Sequence, residues 1–114
     1  MITQEQVEQK QIEVEEQAAK LSETLKFKVH PMIFIEGDEF VIGYLREPDR
    51  ATKTMYLDKA MQGLASASTQ MVELLLLKDE GDAQRILKND NHFFGAAGKV
   101  NQIIQASQDQ FKKK

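Results

Sequence analysis

The chain has no cysteine and no tryptophan, only two prolines, and aromatics at just 7% of its residues. The lack of cysteine excludes disulfides and thiolate metal sites, and it suits a reducing compartment. The scarcity of aromatics leaves little material for stacking nucleobases. No apolar run approaches the roughly 18 residues that mark a candidate membrane span. No charge sign dominates either. Fifteen basic and 18 acidic residues are mixed along the chain to a net charge of −3, without the basic footprint of a nucleic-acid binder. The first residues are acidic and Gln-rich where a signal peptide would be basic and then apolar, so none is expected.

The constellations of chemistry are also missing. His30 and His92 lie far apart, and neither has a second ligand at metal-binding spacing on a helix. They read as a strand-surface residue and a polar residue at a helix start. Glu15-Glu16 and Asp79-Glu80 are adjacent pairs whose side chains diverge on a helix, which suits a solvated face better than a catalytic dyad. Asp79, Asp82 and Asp90 do not follow the spacing of a calcium loop. There is no glycine-rich phosphate loop, and Gly95-Ala96-Ala97-Gly98 reads as small-residue helix packing. The expectation is a protein without enzymatic activity, cofactor or metal.

What is present is periodicity. The 114 residues, 41% hydrophobic and 29% charged, fit one soluble domain with a modest core. Residues 3–26 predict a helix: Thr3 and Gln6 have the form of a capping box, and strong helix formers follow. Val7, Val14, Ala18, Leu21 and Leu25 share one face, but Gln11 interrupts it. So thin a stripe predicts a weakly tethered helix over 1–26 that frays or needs a partner. From 27 to 46 the period shortens to two, and Glu36-Gly37-Asp38 supplies a turn, which together read as a β-hairpin. Both hairpin faces are apolar at mid-strand. A lone hairpin is marginal, so it needs cover: helices suit one face, while the other face, or the strand edge, suits a second subunit, and Pro31 belongs on an edge or at a bulge. Ile33, Ile35, Phe40 and Ile42 are therefore candidates for self-association.

Pro48 ends the second strand, and Asp49 is a candidate N-cap. Leu57, Met61, Leu64, Met71 and Leu75 recur at helical spacing, with a break expected in the weak stretch Gly63–Thr69. Val72 and Leu74–Leu77 are apolar around most of the helix circumference, as in a core helix. Gly81-Asp82 punctuates, residues 83–88 form a short helix, and Asp90 or Asn91 caps the last one. Phe93, Ala97, Val100, Ile104, Ser107 and Phe111 then repeat at four-three spacing. The expected fold is α+β and mainly helical: an N-terminal helix, one hairpin, and three to four helices over 49–111 packed around it. Residues 27–114 make a single domain. Met32, Met55, Met61 and Met71 are flexible side chains that suit either a core or an adaptable partner groove.

Two stretches carry a family resemblance. Tyr44-Leu45-Arg46-Glu47-Pro48 is similar to a strand exit of phage tail assembly chaperones. The run Val72–Leu77, followed by Glu80-Gly81-Asp82, Ile86-Leu87, Asp90, Phe93-Phe94 and Ala96-Ala97, resembles the second half of those proteins. The similar parts span about residues 27–107 and leave out the N-terminal helix. The resemblance implies a non-enzymatic protein of the infected bacterial cytoplasm. Such a protein binds the long, helical, hydrophobic tape measure protein, keeps it soluble while tail tube subunits polymerise, and is absent from the finished particle. It implies no nucleic acid, membrane or small-molecule substrate, and self-association fits the apolar hairpin. Met61, Leu64, Met71 and Leu75, or the Phe93–Val100–Ile104 face, are the candidates to form or support the partner surface. Many family members also have a longer form made by ribosomal frameshifting. The final Lys112-Lys113-Lys114 is compatible with an A-rich slippery run, and equally with an ordinary charged terminus. Two other readings stay open: a structural or adaptor subunit of a phage particle, and a small chaperone for a secreted effector.

Overall fold

The computed structural model describes residues 1–112, with side chains through residue 106. The fold is α+β and mainly helical. Helix α1 (Gln4–Leu25) leads into strands β1 (Val29–Glu36) and β2 (Glu39–Arg46). Helices α2 (Arg50–Ala60), α3 (Leu64–Leu75), α4 (Ala83–Lys88) and α5 (Asp90–Lys112) follow. The hairpin lies between α1 on one side and the remaining helices on the other.

Local chemistry sets most boundaries. Thr3 and Gln6 close a reciprocal capping box at the start of α1, and Asp49 accepts the Thr52 N–H at the start of α2. Four boundaries differ from the expectation. Helix α3 ends at Leu75 and not near residue 78: Leu76 bridges to Leu45 of β2, the Leu77 N–H bonds the Tyr44 carbonyl, and Leu74, expected in a core helix, is exposed. The hairpin loop has two residues, because Glu36 pairs with Glu39. Gly37 has φ 61° and Asp38 is not left-handed, a pattern that fits a II′ turn, whose twist matches the strands. The break between α2 and α3 falls at Met61–Gly63, earlier than expected, since the small residues after Gly63 are helical once packed. The cap of α5 is Asn89, whose side chain accepts the His92 N–H. Asp90 is already inside the helix.

The antiparallel register separates the faces of the hairpin. Met32, Phe34, Val41 and Leu45 face the main core with Met71, Val72, Leu75, Ile86, Val100 and Ile104. Val29, Ile33, Ile42 and Tyr44 face α1 and pack with Val14, Ala18 and Leu21. The thin stripe of α1 therefore docks: full burial of a Val or Leu side chain is worth about 1.5–3 kcal/mol. Gln11, the interruption of the stripe, is exposed and borders a cleft beside Ile33 and Ile35, and the docked contacts of α1 lie C-terminal to it. Arg46 closes the same face by lying over the Phe27 ring, 4.3 Å from its centroid.

One buried polar knot ties the helices together. The Tyr56 hydroxyl donates to Asn101 Oδ1 at 2.6 Å and meets Ser68 Oγ at 3.2 Å. Ser68, an apparent flaw in the apolar register of α3, is thus a hydrogen-bonding contact for α2. Gly95 takes the edge of the Phe34 ring, while Gly98 faces open space.

Candidate functional site

The residues expected to bind a partner divide by burial. Met71, Leu75, Val100 and Ile104 are core, because α3 and α5 stack along those faces, and Phe93 packs half-buried against the same core. These residues are therefore part of the core, not of an exposed surface. Met61 and Leu64 remain outside, 89% and 52% exposed, at the α2–α3 corner. Leu57, one turn before Met61, is 38% exposed. Three apolar side chains thus face solvent within eight residues of sequence, on a corner formed because α2 ends at Ala60 and α3 begins at Leu64. The side chains of Ser107 and Phe111, and residues 113 and 114 of the terminal lysine run, lie outside the described residues.

The hairpin residues expected to self-associate divide as well. In a hairpin with a two-residue loop, the pairs Glu36–Glu39, Phe34–Val41, Met32–Gly43 and His30–Leu45 exchange backbone hydrogen bonds. The intervening residues point their N–H and C=O groups outwards. On β2 those outward groups are used. Ile42 O accepts the Asp82 N–H at 2.7 Å, Ile42 N–H donates to Asp82 Oδ2 at 2.8 Å, and Tyr44 O accepts the Leu77 N–H at 2.9 Å. Residues 76–82 therefore cover the β2 edge, and Phe40 and Ile42 are half-buried there. Lys10 lies 5.6 Å over the Phe40 ring.

Among the described residues the edge of β1 has no such cover. The Val29 N–H is taken by Ser22 Oγ at 2.9 Å, and Pro31 has no N–H. The Ile33 and Ile35 N–H groups are left facing outwards. A cleft lies on either side of this edge. One, of about 310 Å³, is bounded by Pro31, Phe34, Gly95, Gly98, Lys99 and Gln102. The other, of about 430 Å³, is bounded by Val7, Val14, Glu15, Ile33, Ile35 and Lys99. Lys99 borders both.

The polar clusters are structural in character. Glu36 accepts from His92 Nε2 at 3.0 Å and from Arg85 at 3.1 Å, and Arg85 also reaches Glu39 at 3.0 Å. This cluster fastens the hairpin tip to α4 and α5. The His92 bond, followed by Arg85, holds the Glu36 carboxyl below its ordinary value. His30 Nε2 and Glu47 Oε2 are 2.5 Å apart at the other end of the hairpin. Burial, followed by repulsion from Glu80 and Asp82, raises the Tyr44 hydroxyl. Among the described residues no three His, Asp or Glu side chains converge as metal ligands, and no helix is long and apolar enough to cross a membrane.

Sequence reasoning raised a strand edge, beside the second hairpin face, as a place for a second subunit, but not which of the two edges stays open. Pro31 is its signal, since a strand proline belongs on an edge. It missed the cover on β2 because that pairing joins segments some forty residues apart, as in the Ile42–Asp82 bond. No protein-family model, curated protein or solved structure matches this chain.

Proposed function

We propose that this chain is a phage tail assembly chaperone. In this reading it is non-catalytic and acts in the cytoplasm of the infected bacterium. It binds the long helical tape measure protein, keeps it soluble during tail assembly, and is absent from the mature particle. The observation that supports the reading beyond the sequence resemblance is the apolar α2–α3 corner of Leu57, Met61 and Leu64. An exposed cluster of this kind on a charged chain marks an interaction surface. Met61 has an unbranched, polarisable side chain that adapts to successive stretches of a repetitive apolar partner. A long helix presents an apolar stripe at i, i+3 and i+4, which is the complement such a corner seats.

The test is co-purification of the chain with the long helical protein encoded beside it in the phage genome. The wild-type chain is expected to retain that protein. The double variant Met61→Glu, Leu64→Glu is expected to lose it while keeping the wild-type circular dichroism and unfolding midpoint. Retention by the folded variant overturns the assignment of the surface. Detection of the chain in purified virions at stoichiometric levels overturns the chaperone reading in favour of a structural subunit.

A further inference from the structure

The β1 edge is self-complementary, and we propose that it pairs antiparallel with the same edge of a second copy, joining two hairpins into a four-stranded sheet about a two-fold axis at Ile33. The inference rests on the hairpin alone and is independent of the partner surface at the α2–α3 corner.

Hydrogen-bond balance selects the occupant and the register. Each copy presents two outward donors, the Ile33 and Ile35 N–H groups, because Pro31 has none and Ser22 has taken the one on Val29. With the axis at Ile33, the two Ile33 residues exchange N–H···O=C bonds, and each Ile35 N–H meets the C=O of Pro31 in the other copy. All outward donors are then satisfied. Pro31 falls at the one position where its missing donor leaves only an acceptor at the end of the ladder, close to solvent. An axis at Pro31 has no central bond to offer, and it sets Ile35 against Phe27, which precedes the strand. An axis at Ile35 sets Ile33 against Gly37 in the turn. Of the usual guards the strand itself carries only Pro31, which in this register falls at the end of the ladder, and its central residues are apolar.

The surroundings fit a second copy. The clefts on the two sides of the edge provide room for an added strand. Ile35, 51% exposed in the single chain, becomes covered. Hydrogen-bonded residues of an antiparallel pair point to one side, so both Ile33 side chains lie on the α1 face, beside Val7 and Val14. Lys99 and Glu15 line the same cleft of one chain, and Lys99 has no carboxylate within ion-pair distance among the described residues.

The absence of cysteine makes the register directly testable. In the paired sheet the two Ile33 Cα atoms are about 5.5 Å apart, within disulfide reach. The two Ile35 residues are offset by four positions, about 13 Å. Full-length Ile33→Cys is expected to form a disulfide-linked dimer under mild oxidation, and Ile35→Cys is not. Light scattering of the wild-type chain is expected to give twice the monomer mass. Ile35→Lys, with unchanged circular dichroism, is expected to weaken the dimer by about a hundredfold, from the loss of two buried isoleucines. A wild-type monomer at millimolar concentration overturns the proposal, and so does equal cross-linking at both positions. A monomer whose β1 edge gains hydrogen-exchange protection on adding an extended apolar peptide assigns the edge to a different occupant and overturns it equally.

Discussion

Asp82 secures the outer edge of β2 twice, by its own N–H and by its carboxylate, both onto Ile42. Replacing it removes a charge-assisted bond and leaves the Ile42 N–H without its acceptor. Asp82→Ala is therefore expected to lower the unfolding free energy by about 1.5–3 kcal/mol in urea titration. Its neighbour Gly81 is constrained in two ways: φ is +59°, and an added Cβ would lie 2.6 Å from the Ile42 carbonyl oxygen. Gly37 shares the left-handed conformation, but an added Cβ there meets nothing. Gly81→Ala is thus expected to cost more than Gly37→Ala, whose penalty is about 1–2 kcal/mol from backbone strain alone. Glu36 sets a pH dependence. Its carboxyl is held below 4.5 by the His92 bond and then by Arg85. A depressed acid stabilises the fold fully above its unfolded value and loses that contribution as pH falls through the folded value. Glu36→Gln is expected to flatten the acid limb of stability as pH falls through and below the ordinary carboxylate range, and an unchanged limb would sink this account.

Elements are where the reach of the sequence is clearest. Thr3 with Gln6, and Asp49 with Thr52, were legible because capping is decided within four residues. The hairpin was legible from its period and Gly37. The α2–α3 break was misplaced because Ser66, Ser68 and Thr69 are weak helix formers in isolation, and packing overrides that propensity: Ala67 is buried, and Ser68 is hydrogen-bonded to Tyr56. The burial of Met71, Leu75, Val100 and Ile104 was not legible as such. A four-three stripe shows that a face is apolar, but only the tertiary arrangement shows whether another helix of the same chain covers it. The docking of α1 belongs to the same class. Three residues, Val14, Ala18 and Leu21, carry it. Leu21→Ala is expected to cost about 2–4 kcal/mol and to unfold the chain as one cooperative unit. Loss of α1 structure alone, with the hairpin retained, would restore the picture of a loosely held helix.

At the scale of the whole molecule, two uncovered apolar features differ in kind. The β1 edge is a row of backbone groups suited to an extended strand, whereas the α2–α3 corner is a set of side chains suited to a helix. Under the two proposals self-association belongs to the edge and partner binding to the corner, so each is expected to be removable without the other. Ile35→Lys is expected to leave tape measure binding per chain intact, and the corner double variant is expected to leave the dimer intact. The central claim is tested most directly by measuring how much tape measure protein stays soluble when it is expressed alone, with this chain, and with the Met61→Glu, Leu64→Glu variant. The account predicts aggregation alone, recovery in the supernatant with the wild-type chain, and aggregation again with the folded variant. Equal solubility in all three would contradict it.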